Sequence, residues 1–282
     1  MVLESLINPF NAKHKPWETF FLGLFYSSIA LFLSFWVFPE YSSLIMVFLI
    51  TLACVPLLYF TMRHEEEINF KFKNNFKILK EHGKVFTFLI LLFLGFTVAL
   101  TLWYVFLPST MVETLFSSQT TTIANINNQI SGNSVQFDIF LKILLNNVRV
   151  LIFCVLFAFL YGVGAIFILT WNASVIAAAM GNFIRQNLAH YAQAVGLGKL
   201  AGYFHIFSMG FLRYAIHGIP EVLAYFVGGL AGGIISVAVI KHDVFKEKRE
   251  KVIFDASELI LIALAILVIA GLLEVYVTPA LF

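Results

Sequence analysis

The chain is a succession of long apolar runs separated by short polar stretches, and the alternation expected of a half-buried strand is nowhere sustained. A hydrocarbon core of about 30 Å takes ~20 apolar residues at a rise of about 1.5 Å each. Runs of that length fall at 17–37, 42–62, 85–107, 148–170, 220–240 and 254–276. A weaker stretch at 199–216 carries Lys199, His205 and Arg213, while 173–184 is too short to cross and predicts a re-entrant or tucked helix. The expected fold is therefore all-α: a polytopic helical membrane protein of about seven spans, with the tucked helix and a cytoplasmic interfacial helix in addition.

Composition removes the soluble alternative. Hydrophobic residues make up 60% of the 282 and charged ones only 12%, against roughly 25% charged in soluble domains. A net charge of +2 gives no reason to expect nucleic acid. Cys54 and Cys154 lie in different apolar runs with no CxxC or Cys/His spacing, so neither metal nor cofactor is expected and both read as inert core thiols. The first apolar run follows Lys13 and Lys15 without a cleavage pattern, as in an uncleaved signal anchor.

Charge placement orients the spans. Lys71, Lys73, Lys77, Lys80 and Lys84 follow the second run, and Lys241, Lys246, Lys248, Arg249 and Lys251 follow 220–240. Positive loops stay cytoplasmic. The segment from Pro108 to Asp138 has no lysine or arginine and reads as an external polar loop. Counting crossings with 199–216 included puts the N-terminus inside and Phe282 outside, in a multi-pass protein of the cell membrane. Between Glu66 and Lys84, Ile68, Phe72, Phe76 and Leu79 recur at helical spacing among lysines, as in a helix lying on anionic lipid. Three regions result: a three-span bundle over 1–110 with its interfacial helix at 66–84, the loop 111–139, and a membrane core over 140–282.

With that topology, polar side chains far apart in sequence reach one depth near the external side: Lys142, Asn146, Asn147 and Arg149 leading into the fourth span, Arg213 and His217 at the end of 199–216, Glu221 opening the next span and Glu274 near the end of the last. Intramembrane charges are costly unless they pair or line water, and two carboxylates with two arginines can neutralise each other. His217 and Glu221 are four apart, but no third ligand or HExxH accompanies them, so a structural hydrogen bond is the plainer reading than a metal site. Gly218 and Pro220 give a helix, break, helix signal. At the surface this is a hairpin turn, favoured because both flanks are long enough to span; submerged, it is a discontinuous helix. Ala224, Gly228 and Gly232, Gly229 and Gly233, and Ala173, Ala177 and Gly181 repeat at four-residue spacing for close helix contact, within the chain or between copies. No nucleophile elbow, intramembrane aspartyl pair or phosphate loop is present, so no catalytic residue is expected.

The order of these motifs is informative. Asn147 entering an apolar helix, Gly162 and Gly164, Trp171 and Asn172 before small residues ending at Gly181, then His217, Gly218, Pro220 and Glu221, the glycines at 228–233, and Glu274 with Thr278 and Pro279 together resemble the stage II sporulation protein M family over about 140–282. The resemblance implies an all-helical membrane protein without catalytic activity of its own, acting as a scaffold that holds envelope proteins at a membrane. Two functions follow as expectations: a non-enzymatic scaffold with membrane or envelope protein partners, and a transporter or channel for a small polar or ionic solute with the polar cluster as mouth or gate. The lipid bilayer is the surrounding partner in either case.

Overall fold

The computed structural model describes residues 16–71, 75–130, 136–161, 165–188, 197–240 and 246–282, with side chains described over 17–57, 87–125, 136–160, 165–188, 201–236 and 253–282. Within these limits every long element is a helix: α1 (Pro16–Val37), α2 (Ser42–Lys71), α3 (Asn75–Phe106), α4 (Ser109–Leu115), α5 (Ser117–Ile130), α6 (Gln136–Tyr161), α7 (Ala165–Leu188), α8 (Leu197–Ile240), α9 (Lys246–Leu272) and a last turn α10 (Thr278–Leu281). A lipid-embedded chain has no water to satisfy its amides, so the helix, which bonds every amide within one segment, is the natural outcome.

Seven helices are long and apolar enough to cross a membrane: Trp17–Val37, Pro39–Leu57, Thr87–Phe106, Gln136–Leu160, Ala165–Leu188, Ala201–Ser236 and Ile253–Leu281. The number agrees with the sequence reading, but the partition differs twice. The segment 173–184 is not a tucked helix; it is the second half of the full-length α7. The sequence obscured this because 148–170 forms one unbroken apolar run, whereas α6 ends at Tyr161 and α7 begins at Ala165, on either side of Gly162 and Gly164. Conversely, 199–216 and 220–240 are one helix, α8, continuous through Gly218 and Pro220. The expected break is absent. Proline removes one amide donor, and a membrane helix can keep its path where neighbouring helices support it. The two differences cancel in the count.

The interfacial helix expected over 66–84 is not a separate element where the backbone is described: 66–71 prolong α2 and 75–84 begin α3. Its side chains, with those of Lys241 to Lys251, lie outside the described residues.

Helix pairing follows the small residues. A side chain on Gly95 would strike the Phe20 carbonyl, and one on Gly23 would come within 2.6 Å of the Leu92 carbonyl, so α1 and α3 touch backbone to backbone. Gly181 of α7 lies against the ring of Tyr104 in α3. In the second half, α8 packs between α6 and α9, with Gly228 against Leu151, Gly232 against the Val155 carbonyl and Gly229 against Ala165. Gly233 is buried as well. These four-residue repeats are thus occupied by contacts inside the chain.

The segment expected as a loop after Pro108 is folded. Leu115 of α4, Phe116 between the two helices and Gln119 of α5 are fully buried, and Phe116 stacks edge-on against Tyr104 at 5.0 Å. Gln119 donates to the Ser43 carbonyl at 3.2 Å and the Ser174 hydroxyl at 3.1 Å, tying this cap to α2 and α7. Arg185 closes the same end: it donates to the carbonyls of Val105 and Leu107, the unsatisfied C-terminal groups of α3.

Candidate functional site

On α8, His217, Glu221, Ala224, Tyr225, Gly228 and Gly232 fall three or four apart, and such residues share one face of a helix. The end of α9 runs alongside in the opposite direction. His217 Nδ1 and Thr278 Oγ1 are 3.3 Å apart, and one turn further along α8, Glu221 lies within electrostatic reach of Glu274, one turn back towards α9. Tyr225, fully buried, then donates to Glu221 Oε1 at 2.7 Å. It is within electrostatic reach of Glu274 and Cys154 as well. The polar side chains therefore stack in successive layers: His217 with Thr278, Glu221 with Glu274, and Tyr225 beneath.

The backbone around Glu274 departs from the α-helix. Leu273–Val277 forms a single π turn. Pro279 has no amide to offer the Val275 carbonyl, which favours the wider turn at this point. Both the amide and the hydroxyl of Thr278 end on the Leu273 carbonyl, the hydroxyl at 3.0 Å.

On α6, Asn147 lies buried one turn before Leu151. It is 5% exposed, and its Nδ2 has no hydrogen-bond partner. Leu151 and Val155, one and two turns further along, meet Gly228 and Gly232. The same face of α6 one turn earlier therefore meets α8 near Ala224 and Tyr225.

Not every expected member joins. Asn146 is half-buried beside Asn147, but Arg149 is exposed on the opposite face of α6, with Leu145, Ile152 and Leu156. Arg213 lies within electrostatic reach of His217 but places its guanidinium 5.3 Å from the centre of the Phe183 ring. Among the described residues neither arginine forms an ion pair with Glu221 or Glu274, so the expected neutralisation does not occur. Helical phase is the reason: Arg149 is two residues, about 200° of rotation, from the buried Asn147, and Arg213 is eight residues, more than two turns, from Glu221. Among the described residues, no three His, Cys, Asp or Glu side chains are grouped to hold a metal ion.

Three contributors were not singled out from sequence. Tyr225 sits four residues after Glu221, a spacing that places both on one face and could have revealed it. Arg185 was hidden because its helix was read as too short. Gln119 gave no signal, since it lies in a polar stretch that resembled a loop.

These helices, their length and their apolar surfaces define a polytopic, all-α integral membrane protein. The model of the stage II sporulation protein M family matches residues 85–279, more than half of the chain. The chain belongs to that family, and the match begins earlier than the resemblance over 140–282, taking in α3, the cap and α6 to α9. No curated protein and no solved structure matches it.

Proposed function

We propose that the chain is a non-enzymatic membrane scaffold, with its N-terminus cytoplasmic and its C-terminus external, that presents the α4–α5 cap to a membrane or envelope protein. The cap carries the reading. Leu115, Phe116 and Gln119 anchor it to the bundle, while Glu113, Thr120, Thr121 and Asn125 are exposed, so a polar surface is held in one shape before any partner arrives. Preorganisation of that kind lowers the ordering cost of association. Two further features support it. Arg149 stands on the outward face of α6 without an acidic partner in the described residues, which suits a neighbouring polar chain or a lipid phosphate. Beneath Tyr225, Gly228, Gly229 and Gly232 are filled by Leu151, Ala165 and the Val155 backbone, which argues against a continuous polar path.

A photo-crosslinking residue at Thr121 in native membranes tests the reading. A single stoichiometric partner is expected. Adducts only between copies of the chain would contradict the hetero-partner and point to a homo-oligomer.

The stacked polar layers favour a second reading, a transporter or channel for a small ionic solute. Proteoliposomes would then pass Na⁺, K⁺ or Cl⁻, and Glu221→Gln or Glu274→Gln would abolish passage. Absence of flux through the unaltered protein would dispose of it.

A further inference from the structure

The fourth span carries a cation in its outer wall. Arg149 lies thirteen residues from the first residue of α6 and twelve from the last, so roughly 18 Å of helix or more separates it from either end. It is exposed on the face turned away from α8, in a stripe with Leu145, Ile152, Leu156 and Leu160. Only 22% of the span Gln136–Leu160 is buried, the least of the seven, against 61% of Thr87–Phe106. The stripe is long and apolar, with one guanidinium at its middle.

Lipid is a poor neighbour for a charge at that depth. In a hydrocarbon core of about 30 Å, roughly 15 Å lies between the midplane and either surface, further than an arginine side chain can snorkel. A second copy of the chain does not answer the charge either. Among the described residues, the exposed carboxylates Glu40, Asp138, Asp255 and Glu258 each lie within two turns of the end of a span, and Glu113 belongs to the cap, so a copy in the same orientation brings none to the middle. Charges inside a membrane pair with one another or line water, and the planar guanidinium matches a carboxylate in a two-pronged contact.

We propose that the 145–160 face of α6 docks a transmembrane helix of a different protein, and that Arg149 receives an Asp or Glu from the middle of that helix. The apolar side chains before and after Arg149 pack against those of the partner, and the ion pair fixes the depth and register of the two helices. The pair contributes specificity more than strength, because a helix without the carboxylate would leave the guanidinium covered and unpaired. The proposal rests on the scaffold reading and gives its partner a second contact, inside the bilayer and separate from the cap.

The test places a photo-crosslinking residue at Ile152 of the full-length protein in native membranes. An adduct is expected with a membrane protein whose crosslinked segment carries an acidic residue in its middle third. Its yield should fall about tenfold in Arg149→Leu, survive in part in Arg149→Lys, and return when Arg149→Asp is combined with Lys in place of the partner's acid. Arg149→Leu only makes an exposed position apolar, so the purified variant in nanodiscs should melt no lower than the unaltered chain. A second measurement uses a leucine-rich transmembrane peptide with one central Glu, labelled for energy transfer. It should bind the protein in nanodiscs about tenfold more tightly than the same peptide with a central Leu, and Arg149→Leu should erase the difference. Adducts at Ile152 only with lipid, only with copies of the chain, or with a segment lacking an acid would overturn the proposal, as would an unchanged yield in Arg149→Leu or equal binding of the two peptides. An adduct at Thr121 with none at Ile152 would sink this docking face and leave the cap standing; an acid-dependent adduct at Ile152 with none at Thr121 would do the reverse.

Discussion

The helices α1 to α3 and the helices α6, α8 and α9 carry different kinds of buried polar side chain: hydroxyls in the first, ionisable groups as well in the second. In the first group the hydroxyls divide: Ser28 bonds the Leu24 carbonyl, Ser34 Leu31, Thr51 Val47 and Thr97 Phe93 within their own helices, while Thr19 reaches the Phe88 carbonyl and Thr101 the Met180 sulfur on neighbouring helices. In the second, His217 meets Thr278 and Glu221 faces Glu274 across a helix boundary. A hydroxyl that bonds within its own turn is satisfied wherever the helix goes, so it is cheap to carry and says little about function. An ionisable group cannot satisfy itself in that way. Its presence in a span makes the site depend on which helices pack together.

The comparison breaks first at the glycines. Gly95→Leu would drive a side chain into the Phe20 backbone, which cannot yield as a flexible side chain can. A loss of about 3 kcal/mol or more is expected, read as loss of the monodisperse peak on size-exclusion chromatography in mild detergent. Gly232→Leu, against the Val155 carbonyl, should cost a similar amount and scatter the polar layers as well. If either variant stays monodisperse and thermally unchanged, close backbone packing is not what positions the site.

The hydroxyls come next. Ser28→Ala removes the acceptor that Trp103 Nε1 reaches at 2.9 Å, one of the few bonds joining α1 to α3. Interhelical hydrogen bonds in membranes average about 0.6 kcal/mol, so a small fall in melting temperature is expected. Thr97→Ala removes only a bond within its own helix and should be nearly neutral in the same melt. An equal or larger loss for Thr97→Ala would erase the distinction between the two kinds of polar group.

Fold class was legible because membrane-length apolar runs have few other outcomes, and the repeats around Gly228 and Gly181 marked real contacts. Boundaries were harder. The apolar run through 148–170 hid the division between α6 and α7, since hydropathy does not register where a helix stops. At Pro220 local propensity pointed to a break, yet packing of α8 between α6 and α9 kept the helix continuous. Topology placed His217, Glu221 and Glu274 at one level, whereas helical phase decided that Asn147 faces α8 and Arg149 does not. The cap could not be read as structure, because its fold rests on contacts between Gln119, Ser43 and Ser174 that are distant in the chain.

The facing of Glu221 and Glu274 is the central claim, and paired cysteines test it directly. In a chain with Cys54 and Cys154 replaced by Ala, Glu221→Cys with Glu274→Cys should crosslink efficiently in native membranes with a short bifunctional thiol reagent. Arg149→Cys with Glu274→Cys should not, because Arg149 points away from the bundle. Crosslinking of the second pair at the rate of the first, or no reaction of the first pair in folded protein, would contradict the account.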